Sequence, residues 1–277
     1  MNNKRVIIVH IHIFKNAGST FDWILKRNFG KDFIDHRDNK SMIKGGKNYL
    51  ERFLIKHSIV KAISSHHIKF NPLHMELKDT VILPVCFIRH PIARIMSVYE
   101  FEKNQKGNPT PGARKANKMS FKEYVQWRMK PWVGATIRNG QVIYCSGIAR
   151  WGYEKADAFR KAMENITNNY LIGIVDRFDQ SMVLMEKHLH AYFPSIDMAY
   201  IIQNQNRKIK KNTIEIVSEI QNILGPSLFE IVLNLNRNDL SLYDAANEIL
   251  DKRLEDINDF QARLEDFKTR CKNLREG

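Results

Sequence analysis

The stretch VIIVHIHIFKNAGST, residues 6–20, decides how this chain folds. Its first eight residues are mostly apolar and predict a buried β-strand, and the polar residues after them predict a loop. Residues 20–29 have the pattern of an amphipathic helix. A strand, a loop with one lysine and two hydroxyls, and a helix N-terminus together favour phosphate binding. The backbone N–H groups and the positive end of the helix dipole face the anion, and the lysine adds a full charge.

This loop differs from the Walker A motif. That motif has a glycine five residues before a Gly-Lys pair, whereas here Lys15 precedes Gly18 and no glycine lies upstream. The sequence therefore predicts a phosphate cradle that is not built for ATP hydrolysis.

Composition narrows the class of protein. A chain of 277 residues with 43% hydrophobic residues predicts one large α/β domain, with room for an appendage. The surplus of 44 Lys and Arg over 30 Asp and Glu gives a formal charge of +14, which predicts an anionic partner. The charge alone does not choose between a nucleotide, an acidic glycan, a nucleic acid and a membrane surface. The three cysteines are widely spaced, which indicates neither a zinc site nor a disulfide scaffold.

The apolar runs bear on localisation. None reaches the length of roughly 20 residues that spans a bilayer, so no membrane span is expected. The first run is interrupted by Lys15 and Asn16, and no small-residue cleavage site follows, so no signal peptide is predicted. We therefore expect a cytoplasmic protein.

Strands alternate with helices along the chain. Apolar runs at 59–63, 80–88 and 170–175 predict further strands, and the alternation predicts a parallel sheet with crossover helices. Ligands of such sheets bind beyond the carboxyl ends of the strands, so the segments that follow each strand are expected to meet there. Residues 31–48 are expected to form a surface excursion, and residues 103–117 a mobile basic loop.

The C-terminal part of the chain has a helical pattern from Asp239 onward. Its apolar residues recur at steps of three and four, or multiples of these. We expect this stripe to pack on its own domain, with a dimeric coiled coil as the alternative.

A second segment, residues 89–99, places Arg89 at a strand end and Ser97 about two turns into the next helix. An arginine and a hydroxyl held in this way suit a second phosphate, because arginine binds phosphate by bidentate hydrogen bonds. Arg94 faces another side of the helix and is expected to add charge.

Together the two segments resemble the nucleotide-binding signatures of sulfotransferases that use 3′-phosphoadenosine 5′-phosphosulfate (PAPS). HIFKNAGST, residues 12–20, resembles the 5′-phosphosulfate loop H-x-P-K-T-A-G-T-[ST]. RHPIARIMSVY, residues 89–99, resembles the 3′-phosphate motif R-[DH]-P-x-x-R-x-x-S-x-Y. In the family's order, further matches are the acceptor-base segment at 64–68, the N-x-Q…G stretch of the acceptor region at 139–147, the strand–helix unit at 172–181 and the C-terminal helix at 239–246.

The resemblance covers residues 5–250 and is strongest to the carbohydrate branch that includes the heparan and uronyl 2-O-sulfotransferases. It implies an α/β, P-loop NTPase-like three-layer fold, in which a central parallel sheet is flanked by helices. Residues 1–245 would form the sulfotransferase domain and residues 246–277 a C-terminal helical extension. Two residues depart from the family pattern, since Phe14 replaces a proline and Asn16 a threonine.

The resemblance also implies a reaction, the in-line transfer of the sulfuryl group from PAPS to an acceptor hydroxyl, which leaves the bisphosphate PAP. A carbohydrate or a small alcohol is the expected acceptor, and neither a metal nor a nucleic acid is expected to take part. Lys15 would stabilise the leaving phosphate, and Arg89 and Ser97 would hold the 3′-phosphate. The other residues expected to bind the nucleotide are Asn16, Ala17, Gly18, Ser19, Thr20, Arg207 and Lys208.

A general base must take the proton of the acceptor hydroxyl, and histidine suits this role near neutral pH. His66 and His67 are the candidates, and the family pattern favours His67. Two other functions stay open at this point. One is a P-loop nucleotide kinase, which the missing Walker glycine disfavours, and the other is a non-enzymatic protein that binds polyanions through its positive charge.

Overall fold

The computed structural model describes residues 4–107, 109–148, 157–203 and 211–276. One parallel sheet lies at the centre, with the strand order β2-β3-β1-β4-β5. Helices flank this sheet, so the α/β three-layer class expected from the sequence is confirmed. The strands are β1 (Arg5–Ile11), β2 (Phe33–Asp35), β3 (Ala62–Ser65), β4 (Thr80–Ile88) and β5 (Leu171–Ile174).

Helices connect the strands and form the C-terminal third of the chain. The α-helices of the described residues are α1 (Gly18–Phe29), α2 (Asn39–Lys56), α3 (Pro91–Lys103), α4 (Pro111–Ala116), α5 (Phe121–Arg128), α6 (Gly140–Ser146), α7 (Asp157–Glu164), α8 (Phe178–Leu189), α9 (Thr213–Leu224), α10 (Pro226–Leu235), α11 (Arg237–Glu255) and α12 (Phe260–Glu276).

The central strand β1 is buried on both faces. Its side chains alternate between the two sides of the sheet, so Ile7 and Val9 pack in one apolar cluster and Ile8 packs in the other. A strand buried on both sides explains why residues 6–13 are almost continuously apolar.

The carboxyl ends of the central strands lie side by side. Ile11 at the end of β1 is opposite Ser65 in β3 and Cys86 in β4. The segments that follow these strands therefore begin at the same edge of the sheet. This edge carries the candidate site.

Two segments that the sequence predicted to be irregular contain regular structure. Residues 31–48 include the short strand β2 and the first half of α2, which is kinked at Gly46 (φ 50°, ψ −132°). Residues 103–117 include α4, which begins at Pro111 and is capped by the hydroxyl of Thr110. Gly112 in α4 is buried against the side chains of Glu102 and Arg128. Packing against α3 and α5 therefore orders a segment that its composition alone marks as a loop.

The C-terminal helices pack on both clusters. Leu250 and Leu254 of α11 belong to the cluster that holds Ile7, whereas Phe267 and Cys271 of α12 belong to the cluster that holds Ile8. The apolar stripe thus contacts the core of its own chain, and the expected boundary after residue 245 falls inside α11. A homodimer through this extension stays a prediction. Within the described ranges, no helix is both long and apolar enough to cross a membrane.

Candidate active site

A cavity of about 660 Å³ opens at the carboxyl edge of the sheet. Eight of the residues predicted from the sequence line it: Lys15, Ala17, Gly18, Ser19, Thr20, His66, Arg89 and Ser97. Asn16 and His67 are not among its described lining residues. Arg207 and Lys208 lie outside the described residues, but Gln203 and Lys211 on either side of that segment line the cavity.

The loop after β1 is shaped to present backbone N–H groups. Lys15 (φ 65°) and Ala17 (φ 59°) both adopt the left-handed conformation, which non-glycine residues rarely take. Left-handed residues between right-handed ones turn successive N–H groups toward one point and create a concave anion site. Helix α1 begins directly afterwards, at Gly18, so its N-terminus faces the same cavity.

Gly18 is required by packing beneath the loop. A Cβ atom at this position would lie 2.2 Å from Cδ2 and Nε2 of His12. The sequence predicted Gly18 as a nucleotide-binding residue, and the structure adds a packing reason for the glycine, the imidazole ring below it. The ring of His12 also lines the cavity.

His12 belongs to a buried polar network. Nδ1 of His10 lies 2.8 Å from Oδ1 of Asp22 and 2.9 Å from Oγ of Ser64, while Nδ1 of His12 lies 2.9 Å from Oδ2 of Asp22. Burial alone would raise the pKa of Asp22, but the two histidines hold that pKa well below its usual range. The carboxylate therefore stays ionised and anchors both rings. His10, His12 and Asp22 are also close enough together to hold a metal ion.

Lys15 and Arg89 bring positive charge to the cavity. The Nζ atom of Lys15 lies 4.7 Å from the ring centroid of Phe101. The pKa of Lys15 is lowered to about 8, chiefly by burial and also by the nearby Arg89, while Glu100 opposes both effects. Arg89 donates a hydrogen bond of 3.1 Å from its guanidinium to the carbonyl oxygen of Lys15. The two predicted phosphate-binding residues are thus held next to each other.

The two candidate bases occupy different environments. Nδ1 of His66 lies 2.8 Å from the carbonyl oxygen of His12, and the two rings are 3.8 Å apart at their centroids. Because a carbonyl only accepts, Nδ1 must carry the proton, which leaves the lone pair of a neutral ring on Nε2. Burial lowers the pKa of His66 to about 3, with a further contribution from His12.

His67 has a different set of contacts. Its backbone N–H donates to Oγ of Ser65, and burial together with Lys69 lowers the pKa of its ring. The sequence favoured His67 as the base. The described residues that line the cavity include His66 but not His67.

Two further residues hold the site together without lining it. Arg94 is buried and donates to the carbonyl oxygens of Phe14 (3.0 Å) and Thr136 (2.8 Å), so it organises the loop rather than only adding charge. Gln141, from the stretch expected to belong to the acceptor region, is hydrogen-bonded to Asn16 and to the backbone of Arg89. The N-x-Q pattern signalled this residue, but not its position beneath the loops.

Comparison with known proteins gives two matches. Residues 1–244 match the model of the Sulfotransferase family. An uncharacterized protein of Archaeoglobus fulgidus is 29% identical over 242 residues, which cover 87% of this chain and 95% of that protein.

The contact between Gly18 and His12 yields a prediction about stability. We expect Gly18→Ala to lower the free energy of unfolding by about 1–3 kcal/mol, because the new methyl group overlaps a ring that Asp22 anchors. In a His12→Ala background the same change should be neutral or stabilising, since alanine is the better helix former. Chemical denaturation of the four proteins in this double-mutant cycle measures the coupling. An equal cost in both backgrounds would show that the ring is not the obstacle.

Proposed function

This chain belongs to the sulfotransferase family, whose members transfer a sulfuryl group from PAPS, and we propose that it sulfates a carbohydrate hydroxyl with a histidine as general base. Family membership sets aside the kinase and the non-enzymatic polyanion binder. The observation that carries the proposal is the single cavity that Lys15, Arg89, Ser97 and His66 line together.

The donor is proposed to lie across the two phosphate-binding segments. The N–H groups at the start of α1 and the ammonium of Lys15 suit the 5′-phosphosulfate, because both stabilise negative charge on the leaving phosphate. Arg89 and Ser97 suit the 3′-phosphate, which ATP lacks. Gln203, whose backbone N–H donates to the hydroxyl of Thr20, also lines the cavity. Nucleotide binding by Arg207 and Lys208 stays part of the proposal.

We propose His66 as the base, with His67 as the alternative. Nε2 of His66 takes the proton of the acceptor hydroxyl while the hydroxyl oxygen forms its bond to sulfur. The bond from sulfur to the bridging oxygen breaks, and PAP leaves with its new charge beside Lys15. The low pKa of His66 keeps the ring neutral before the donor binds, and the anionic donor raises this pKa on binding, which strengthens the base.

The nature of the acceptor rests on charge and on the carbohydrate-type sequence pattern. Arg37 lines the cavity on the side of His66 and pairs with Asp35. With Lys15 and Arg89 it makes the lining basic, in keeping with the formal charge of +14. These features support an acidic glycan over a neutral alcohol. Transfer from labelled PAPS to a panel of glycans and small alcohols tests this choice, and labelling of neutral alcohols alone would contradict it.

Binding of the product nucleotide tests the donor site. PAP should raise the midpoint of thermal unfolding, by an amount equivalent to about 2.7 kcal/mol at a hundred times its Kd, whereas ATP at equal concentration should do much less. Lys15→Met should remove most of the shift, and Lys44→Met, an exposed lysine on α2, should keep it. No shift with millimolar PAP would refute a PAPS site in this cavity.

The pKa of Lys15 predicts how this affinity depends on pH. Before nucleotide binds, the ammonium is charged below about pH 8, whereas above this pH the lysine must take up a proton before it can pair with phosphate. We therefore expect PAP affinity to fall from pH 7 to pH 9.5, by up to tenfold per pH unit above the pKa. Calorimetry in buffers of different ionisation enthalpy should detect proton uptake at pH 9. Lys15→Arg should remove this uptake, and uptake that persists in that variant would have another source.

Substitution of each histidine by alanine distinguishes between the two candidate bases. On an acceptor identified by the panel, His66→Ala should lower kcat by about 10²–10⁴-fold, the usual contribution of general base catalysis, with PAP binding retained. His67→Ala is the matched neighbour and should keep kcat within a few-fold. Loss of activity in His67→Ala with a normal His66→Ala enzyme would assign the base to His67.

A further inference from the structure

We propose that Gln141 is a positioning residue, which fixes the spacing between the two phosphate-binding segments and thereby sets the preference for a nucleotide phosphorylated at both 3′ and 5′ positions. This inference rests on the proposed donor site. It concerns a side chain that touches both segments but is not among the described residues lining the cavity.

One amide group joins the two segments. Oε1 of Gln141 accepts from Nδ2 of Asn16 at 2.7 Å and from the backbone N–H of Arg89 at 2.9 Å. Its Nε2 donates to the carbonyl oxygen of Arg89 at 2.9 Å. Asn16 belongs to the 5′ loop and Arg89 begins the 3′ segment, so a single buried side chain spans both.

The position of Gln141 is itself fixed by hydrogen bonds to its backbone. It lies in the first turn of α6, where the carboxylate of Asp239 accepts from the backbone N–H groups of Gln141 (3.0 Å) and Val142 (2.8 Å). The backbone N–H of Asp239 donates in turn to Oδ1 of Asn139 at 3.0 Å. Asp239 and Gln141 are both fully buried. Reciprocal capping therefore fixes the side chain that joins the loops.

Only an amide fits this position. A glutamate could accept both N–H groups but would set a carboxylate oxygen against the carbonyl of Arg89. A methionine has a similar length but neither accepts nor donates comparably. The loops keep other links in its absence, such as Asn16 to the carbonyl of Phe87 and Arg89 to that of Lys15. Loss of the amide should therefore loosen their spacing without dismantling either loop.

Spacing matters only for a ligand that uses both segments. The nucleotide 5′-AMP occupies the first segment alone, whereas PAP binds both and gains most when they are already at the right separation. A looser spacing should weaken the binding of PAP far more than the binding of 5′-AMP. Loss of a residue with a merely structural role would weaken the binding of both nucleotides to the same extent.

Calorimetric titration of PAP and 5′-AMP into the full chain tests the proposal. In Gln141→Met we expect the affinity ratio of PAP to 5′-AMP to fall at least tenfold, while 5′-AMP affinity changes less than threefold. Gln141→Glu should behave likewise. The matched control is Gln180→Met on α8, whose amide bonds Arg177 away from the cavity, and it should leave the ratio unchanged.

The outcomes distinguish this proposal from the donor site itself. An unchanged ratio in Gln141→Met, or an equal loss for both nucleotides, would overturn the positioning role. A wild-type protein that does not prefer PAP over 5′-AMP would refute the donor site instead. Should Gln141→Met fail to fold, Asn16→Ser removes the link to Gln141 together with the bond to the carbonyl of Phe87, and it must lower the ratio for the proposal to stand.

Discussion

The candidate site depends on hydrogen bonds that take up backbone carbonyls of the proposed phosphate loop, residues 12–20. Arg94 donates to the carbonyl of Phe14, and Arg89 donates to that of Lys15. With these carbonyls engaged and left-handed residues at positions 15 and 17, the loop is shaped to turn backbone N–H groups toward the cavity, although those of Asn16 and Thr20 donate within the loop, to the carbonyls of Ile13 and Ala17. A loop that binds anions needs this separation, because a carbonyl oxygen turned toward phosphate would repel it. The second motif therefore has a structural task besides its proposed contact with the 3′-phosphate.

A second constraint lies beneath the same loop. The ring of His12 fills the space that a side chain at position 18 would need, and Asp22 anchors it through a buried contact of 2.9 Å between Nδ1 and Oδ2. His66 in turn rests on this ring and donates to its backbone carbonyl. The proposed base and the phosphate loop thus share one support. A substitution of His12 therefore acts on both the proposed base and the loop. Its effect on packing is measured through the Gly18→Ala variant, separately from any effect on activity.

The sequence predicted much of this site because its loop residues are local. Lys15 through Thr20 follow one strand without a break, so their grouping follows from the strand–loop–helix pattern alone. The strand end at Arg89 was equally visible. Residues 31–48 and 103–117 were mistaken for irregular structure. In the second segment α4 is stabilised by burial of Gly112 against Glu102 and Arg128, which composition does not reveal.

By itself, the sequence determined the parallel α/β fold, the edge of the sheet that carries the candidate site and the residues of the two segments proposed to bind phosphate. Only the tertiary structure decided which of two adjacent histidines reaches the cavity, because neighbouring side chains at a strand end point in different directions. It also decided that Gln141 lies between Asn16 and Arg89. These residues are far apart in the chain, and a hydrogen bond between them exists only once the sheet and α6 have packed.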